Sequence, residues 1–199
     1  MASKDRFDVH FEREYQPPAL GSWEDSENQL LGPEKPYFLR ANTGPRWILG
    51  GIISRPFIHA EQTGGRFAIS SIESSKVYNP QQQPLSRWLT FFEVDHCFCV
   101  QEGLLRVQLR SSERQPSGIW NEIREGQTIL IAAGETFMMD FGSRFVRVWS
   151  FASGEGIEQL IRNAGTSYQG FVLPEKAELM DESRVMIACQ KLKVSCDRP

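Results

Sequence analysis

Apolar and polar residues alternate over most of the chain between Pro36 and Phe151, in short stretches rich in β-branched and aromatic side chains. Alternation of this kind puts one face of each stretch against a core, which is the pattern of β-strands rather than of helices. Turn residues such as Gly44-Pro45, Asn79-Pro80 and Glu102-Gly103 separate the stretches at spacings too short for crossover helices. The pattern therefore predicts an all-β fold of nine short strands. We predict these strands at Tyr37–Ala41, Trp47–Ser54, Gly65–Glu73, Trp88–Phe92, His96–Gln101, Leu104–Arg110, Gln127–Ala132, Thr136–Phe141 and Phe145–Phe151.

The pattern changes at both ends of this strand-rich region. Residues 1–35 are polar, with Pro and Gly pairs and only scattered aromatic side chains, and they predict an N-terminal arm. Apolar residues at helical spacing predict one helix over 155–164. A second helix is predicted over 175–189. The domain organisation expected is the arm, a single barrel over 36–170, and a C-terminal helical or extended tail over 171–199.

Composition and charge narrow the function classes. The chain has 199 residues, of which 40% are hydrophobic and 11% aromatic, enough for one packed core. Its net charge of -3 provides no attraction for a polyanion, so no nucleic-acid partner is expected. No apolar run approaches the ~20 residues of a membrane span, and the first residues are too charged for a signal peptide. We therefore expect a cytoplasmic protein without a membrane partner.

Four cysteines, Cys97, Cys99, Cys189 and Cys196, are too few for a disulfide framework. They also have neither CxxC spacing nor a cluster of histidines beside them. We expect reduced thiols, with Cys97 and Cys99 on the same face of one strand because a single residue separates them.

Two segments resemble the two motifs of the cupin superfamily. They read FEVDHCFCVQEGLLRVQL and REGQTILIAAGETFMMDF, and in that superfamily such segments form facing strand-turn-strand units of a small barrel. The segments PYFLRANTGPRW and GEGIEQLIRNAGTSY further resemble one unit of the quercetin 2,3-dioxygenase-like cupins of fungi. The resemblance covers about residues 36–170. It implies a cupin double-stranded β-helix, or jelly-roll barrel, with a central pocket.

The resemblance also implies positions for the ligands of a metal ion, but this chain has other residues at those positions. The family's Glu ligand falls on His96, and the His ligand of its second motif falls on Phe137. The family's His-x-His pair falls on Leu89 and Phe91, or on Thr90 and Phe92 in the neighbouring register. One imidazole facing leucine and phenylalanine cannot form a site of three or four ligands. We therefore expect no metal site and no cofactor.

The same alternation predicts which side chains face the barrel interior. With His96 inward, the neighbouring inward positions are almost all apolar or aromatic, and together they would form a cavity for a hydrophobic small molecule. Simple filling of the core by these side chains is the alternative reading. The predicted substrate-binding residues are Leu89, Phe91, Phe98, Phe137, Met139, Trp47, Phe67, Ile69, Ser71 and Trp149.

His96 is the leading candidate for a catalytic residue. An imidazole with its ordinary pKa near ~6.5 can act as a general acid or base at neutral pH. Glu93 and Asp95, in the turn before His96, are predicted to orient the ring, with solvated turn residues as the alternative. A buried neutral histidine bonded to a backbone carbonyl is the structural alternative for His96 itself.

These observations lead to one functional hypothesis and two alternatives. The hypothesis is a metal-independent enzyme of small-molecule biosynthesis, acting on a polyketide-like substrate by cyclisation, isomerisation or dehydration. Such reactions need only positioning and one proton transfer. The alternatives are a quercetinase-like metal-dependent dioxygenase or oxidoreductase, and a non-catalytic carrier of a hydrophobic metabolite. A homodimer is also expected, because single-unit cupins commonly pair through sheet edges.

Overall fold

A computed structural model describes Leu39 and residues 44–79, 83–110, 119–170 and 172–198. The predicted arm over 1–35 lies outside these residues, as does nearly all of the predicted strand Tyr37–Ala41. Twelve strands and two α-helices, with short 3-10 helices at Ala60–Thr63 and Pro84–Ser86, make up the secondary structure of the described part. The strands are β1 (Trp47–Leu49), β2 (Ile52–Ile58), β3 (Ala68–Ser74), β4 (Trp88–Phe91), β5 (His96–Glu102), β6 (Leu104–Leu109), β7 (Trp120–Arg124), β8 (Thr128–Ile131), β9 (Thr136–Phe141), β10 (Val146–Ala152), β11 (Thr166–Ser167) and β12 (Val194–Asp197). The helices are α1 (Ile157–Ala164) and α2 (Glu182–Lys191).

The strands form two antiparallel sheets with a core between them. One sheet has seven strands in the order β11-β1-β2-β3-β10-β5-β8, and the other has five in the order β12-β4-β9-β6-β7. Buried side chains from both sheets, such as Val100 and Val148 from the first and Leu105 and Phe141 from the second, form one hydrophobic cluster. The fold is therefore an all-β sandwich of two antiparallel sheets with two α-helices, which confirms the predicted all-β class and is consistent with a cupin jelly roll.

The segment predicted as a single strand at Trp47–Ser54 is instead a tight hairpin. Gly50 and Gly51 have positive φ angles of 58 and 83 degrees, which let the chain reverse between Leu49 and Ile52. A Cβ at Gly51 would stand 2.6 Å from the ring of Tyr78, so the turn also needs the missing side chain. The prediction of one strand was wrong because the apolar residues run on through the turn.

The C-terminal region becomes part of the barrel. The helix predicted over 175–189 begins later, because Asp181 is its N-cap and accepts hydrogen bonds from the backbone N–H groups of Ser183 and Arg184. After α2, β12 pairs antiparallel with β4 and extends the five-stranded sheet. Among the described residues, no helix is long and apolar enough to cross a membrane.

Four of the predicted interior residues lie on the outer face of the seven-stranded sheet or at its margin. Trp149 is 42% exposed and pairs with Ser71 across the sheet, and Ile69 has Phe151 as its partner on the same outer face. Phe67 precedes β3 and is 39% exposed. The interior orientation predicted for Phe67, Ile69, Ser71 and Trp149 was therefore wrong. The prediction placed the aromatic side chains of these strands in the interior. In the structure, the small and aliphatic side chains that alternate with them on β3 and β10 face the interior instead.

Candidate active site

His96 lies at the start of β5 and is buried completely inside the barrel. Three phenylalanine rings surround its imidazole: the ring centroids of Phe91, Phe98 and Phe137 stand 4.4, 5.6 and 5.9 Å away. The inward orientation predicted for these four side chains is confirmed.

Leu89 and Met139 are also buried in the same core, as predicted. Trp47 is half-buried against the core, where its ring meets His59 with a centroid distance of 5.8 Å. Whether any of these residues binds substrate stays a prediction.

Neither ring nitrogen of His96 has a well-aligned hydrogen-bond partner among the described residues, although the Val94 carbonyl lies near the ring. Burial lowers the pKa of His96 to about 4, and the Val94 carbonyl and the charge of Asp95 only partly oppose this shift. His96 is therefore neutral at physiological pH. A buried polar ring that is poorly satisfied in this way is costly to stability.

Glu93 and Asp95 do not orient the imidazole through hydrogen bonds, which corrects the prediction made for them. Both side chains are exposed. Asp95 instead ties two loops together: its carboxylate accepts hydrogen bonds from the backbone N–H of Ala133 at 2.9 Å and from the hydroxyl of Ser153 at 3.3 Å. The turn before β5 thus uses its carboxylate for loop structure, as turn residues commonly do.

Glu158 is a buried carboxyl group that sequence reasoning missed. It is the second residue of α1, and its Oε1 accepts a hydrogen bond from the backbone N–H of Gly156 at 2.9 Å. Its side chain is only 2% exposed. Burial raises the pKa of Glu158 to about 7, against the opposing effect of the backbone N–H groups at the helix start.

His96 and Glu158 lie close together inside the protein, beside Gly156. A Cβ on Gly156 would stand 2.8 Å from Nε2 of His96 and 2.9 Å from Oε2 of Glu158, so these two atoms are less than about 6 Å apart. No hydrogen bond joins them. The same Cβ would stand 2.5 Å from Cβ of Ala152, so only glycine fits between these side chains.

The pair combines a neutral hydrogen-bonding ring with a carboxyl group that titrates near neutral pH. A group with its pKa near the working pH is the most effective proton acceptor and donor. Two neighbouring groups whose surroundings push their pKa values in opposite directions are a recurring arrangement in acid–base enzymes. The geometry is therefore suited to proton transfer at Glu158 with His96 as a neutral partner.

A surface cleft of about 570 Å³ opens at the same end of the barrel as this pair. Phe91 is shared between them, because the residue lines the cleft and its ring contacts the imidazole of His96. The cleft wall carries charges of both signs, two acidic and two basic side chains. The residues of the wall are Gly65, Phe91, Phe92, Glu93, Val94, Ser153, Gly154, Glu155, Lys191, Leu192 and Lys193.

The residues around His96 do not fit a metal ion of the kind that cupin motifs hold. Leu89, Phe91 and Phe137, at the positions of the family's ligands, offer no donor atoms. In the ranges that the structure covers, no group of three or more His, Cys, Asp and Glu side chains could hold a metal. Two donors, one of them half-protonated at neutral pH, fall short of the three or four that such sites require.

The signal for Glu158 in the sequence is weak. It stands at the margin of the apolar stripe of α1, next to Ile157, where a solvated first-turn carboxylate is the ordinary reading. Only the packing of α1 on the barrel brings Glu158 to the end of β5 and beside His96.

Comparison with known proteins finds similarity to solved structures only, at low sequence identity. Neither a family model nor a curated protein sequence matches this chain. Among solved structures, the chain is similar to EutQ of Clostridium difficile, with 12% identity over 52% of this chain and 63% of that one and a TM-score of 0.39. The Cnp3 cupin domain of Schizosaccharomyces pombe matches with 11% identity, 56% and 70% coverage and a TM-score of 0.39. Ectoine synthase from P. lautus matches with 12% identity, 62% and 78% coverage and a TM-score of 0.42.

These structural neighbours are cupin-fold proteins, and the chain spans less than two thirds of the length of EutQ. At such identities the likeness concerns the fold alone. The finer resemblance to quercetin 2,3-dioxygenase-like cupins stays a prediction.

Proposed function

We propose that this chain is a metal-independent enzyme that transfers a proton on a hydrophobic small molecule and thereby isomerises, cyclises or dehydrates it. The observation that carries the proposal is the close approach, beside Gly156, of the buried imidazole of His96 and the buried carboxyl of Glu158. Glu158 takes over the acid–base role that the sequence suggested for His96, because its pKa lies near 7 whereas that of His96 lies near 4.

Each of the two groups has a distinct task in such a reaction. The carboxylate of Glu158 removes a proton from carbon or oxygen of the substrate and returns it at a second position. The neutral imidazole of His96 donates a hydrogen bond to a carbonyl or hydroxyl oxygen on which negative charge develops. The phenylalanine rings around His96 exclude water, so both interactions act in surroundings of low polarity. The substrate expected is an apolar, polyketide-like body with one reactive oxygen.

The main test uses a nitrobenzisoxazole, an apolar aromatic probe that reports on general bases. Removal of the C–H proton of its isoxazole ring forms a nitrile, breaks the N–O bond and releases a coloured phenolate, without any cofactor. We expect the protein to accelerate this reaction in the presence of a chelator, and Glu158→Gln to slow it by about 100-fold. Glu155→Gln is the matched control, because Glu155 is an exposed neighbour on the cleft wall, and it should retain the rate.

The outcomes separate this function from its alternatives. Retention of the rate in Glu158→Gln would contradict the proposal. Tight binding of the probe with no rate above buffer would point to a carrier, and loss of the rate in the chelator would point to a metal-dependent enzyme.

A second prediction concerns the path from the cleft to the buried pair. Phe91 and Phe98 both contact the ring of His96, but only Phe91 also lines the cleft. Phe91→Leu should therefore raise kcat/KM for the probe by roughly 3–10-fold, since a smaller side chain opens the path. Phe98→Leu, which makes a similar change deeper in the core, should not raise it. Equal effects in the two variants would show that the cleft is not the path.

A further inference from the structure

Two cysteines at the C-terminal end of the chain lie side by side. Cys189 is in the last turns of α2 and is 2% exposed, and Cys196 lies on β12 and is partly exposed. The chain reverses between them so that α2 packs against β12, and Cys196 packs against the hydrophobic cluster that contains Cys189. In this arrangement the thiol of Cys189 donates a hydrogen bond to Cys196. Cys97 and Cys99 differ from this pair, because they lie on the outer face of one strand, as predicted, opposite Phe151 and Trp149.

A buried arginine stands against the sulfur of Cys196. The guanidinium of Arg87, whose side chain is 6% exposed, is held by Glu182 at 2.6 Å and also contacts Cys196. The hydrogen bond from Cys189 and the positive charge of Arg87 hold the pKa of Cys196 below that of an ordinary thiol, with burial and Asp197 opposing. The pKa of Cys189 is raised, first by the same hydrogen bond and then by burial. The pair thus contains one activated sulfur and one thiol beside it.

We propose that Cys189 and Cys196 form a redox-sensitive thiol pair that closes to an intramolecular disulfide when a peroxide is present. The thiolate of Cys196 attacks one peroxide oxygen, the O–O bond breaks, and water leaves after one proton is taken up. The sulfenic acid formed on Cys196 is then attacked by the sulfur of Cys189, which loses its proton, and a second water leaves as the S–S bond forms. In total two thiols and one hydrogen peroxide become one disulfide and two waters, so the protein is oxidised and the peroxide reduced.

The thiol pair is connected to the cleft through the turn that joins its members. Lys191, Leu192 and Lys193 lie in this turn and line the cleft, and Lys193 has a φ of 54 degrees, a left-handed conformation unusual for lysine. β12 also pairs with β4, where Val194 faces Phe91. A disulfide that draws the end of α2 towards β12 therefore changes the wall of the cleft and the strand that carries Phe91.

The first test treats the full-length chain with hydrogen peroxide and maps the products by mass spectrometry. We expect the monomer mass to fall by two hydrogen atoms, with peptides containing Cys189 and Cys196 linked, and dithiothreitol should reverse the change. The double variant Cys97→Ser/Cys99→Ser is the control and should form the same link. Cys196→Ser should abolish it, and Cys189→Ser should leave a sulfenic acid on Cys196 that dimedone traps. A link between chains, a link through Cys97 or Cys99, or oxidation with no link would overturn the proposal.

A second readout tests the role of Arg87 and does not depend on any enzyme activity. The titratable and charged groups that face Cys196 are Cys189 on α2, Arg87 ahead of β4, and Asp197 beside it on β12. We expect alkylation of Cys196 by iodoacetamide to reach half its maximal rate at a lower pH than for an ordinary thiol. Arg87→Gln should shift this midpoint upward, whereas Glu182→Gln, which keeps the guanidinium, should shift it less. An unchanged midpoint in Arg87→Gln would contradict activation by Arg87.

The proposed function and the thiol pair can fail separately. If no peptides linked through Cys189 and Cys196 form, the rate of the nitrobenzisoxazole reaction should still be observed. If that reaction is absent, the linked peptides should still form after peroxide treatment. If both hold, the oxidised chain should show a several-fold change in kcat/KM for the probe, and Cys196→Ser should remove this sensitivity to peroxide.

Discussion

Replacing His96 with leucine is expected to raise the free energy of unfolding by about 1–3 kcal/mol, because it removes two buried ring nitrogens that lack a well-aligned hydrogen-bond partner among the described residues. Leucine fits the surroundings chemically, since the ring lies among Phe91, Phe98 and Phe137. The same variant should lose most of its proton-transfer activity, because the neutral donor beside Glu158 is gone. Chemical denaturation and the nitrobenzisoxazole assay measure the two effects on one preparation.

Phe98→Leu is the matched control for this substitution. Phe98 stacks on His96 in the same core, and both residues are replaced by leucine. Because the phenylalanine side chain carries no polar group, its replacement only removes apolar packing. It should therefore lower the free energy of unfolding by about 1–3 kcal/mol. Opposite signs in the two variants would show that the imidazole is kept at a cost in stability. If His96→Leu destabilises as much as Phe98→Leu, His96 is an ordinary core residue and the proposed function loses one of its two groups.

The second large effect is a pH-dependent gain in stability in Glu158→Gln. The pKa of Glu158 rises from 4.5 to about 7 on folding, so its contribution to stability is complete below about pH 4.5 and is lost as the pH rises through about 7. Above that pH the folded protein holds a buried carboxylate, at a cost of about 3 kcal/mol. Glutamine remains neutral and can still accept the hydrogen bond from Gly156, so the variant should be more stable than the parent chain by about this amount in alkaline buffer.

His96 changes the free energy of unfolding with pH in the opposite direction to Glu158. Its pKa falls from 6.5 to about 4 on folding, so its contribution is present above about pH 6.5 and is lost as the pH falls through about 4. His59, whose pKa burial lowers to about 3, adds a second rising slope of the same kind. Between about pH 4.5 and 6.5 the slopes of His96 and Glu158 cancel, so the stability of the parent chain should rise with the slope of His59 alone. Glu158→Gln should make this rise steeper, and His96→Leu should flatten it.

Urea denaturation at a series of pH values measures these slopes directly. Glu155→Gln, on the exposed neighbour of Glu158, should follow the parent curve closely. Parallel curves for Glu158→Gln and the parent chain would mean that Glu158 is not buried in its neutral form, and the assignment of the base would then be wrong.

Much of the fold follows from short-range pattern in the sequence. Alternation placed His96, Phe98 and Phe137 inside the barrel, and the spacing of apolar residues located α1, because both signals arise from neighbours a few residues apart. The same alternation failed for Trp149 and Ser71. Either parity of those strands gave an acceptable interior, and only pairing with neighbouring strands decided between them.

The candidate site depends on contacts that the local sequence pattern does not predict. The sequence by itself determined a two-sheet β-barrel with one imidazole among aromatic rings, since both depend on side-chain type and period. Only the tertiary structure decided that Glu158 is the second group of the pair and that Cys189 meets Cys196. These contacts join α1 to the end of β5 and α2 to β12. The spacing of apolar residues along the chain predicts secondary structure, but it does not predict contacts between separate elements. Burial then sets the ionisation of Glu158 and His96, because the free energy of a charge depends on all the atoms around it rather than on its neighbours in sequence.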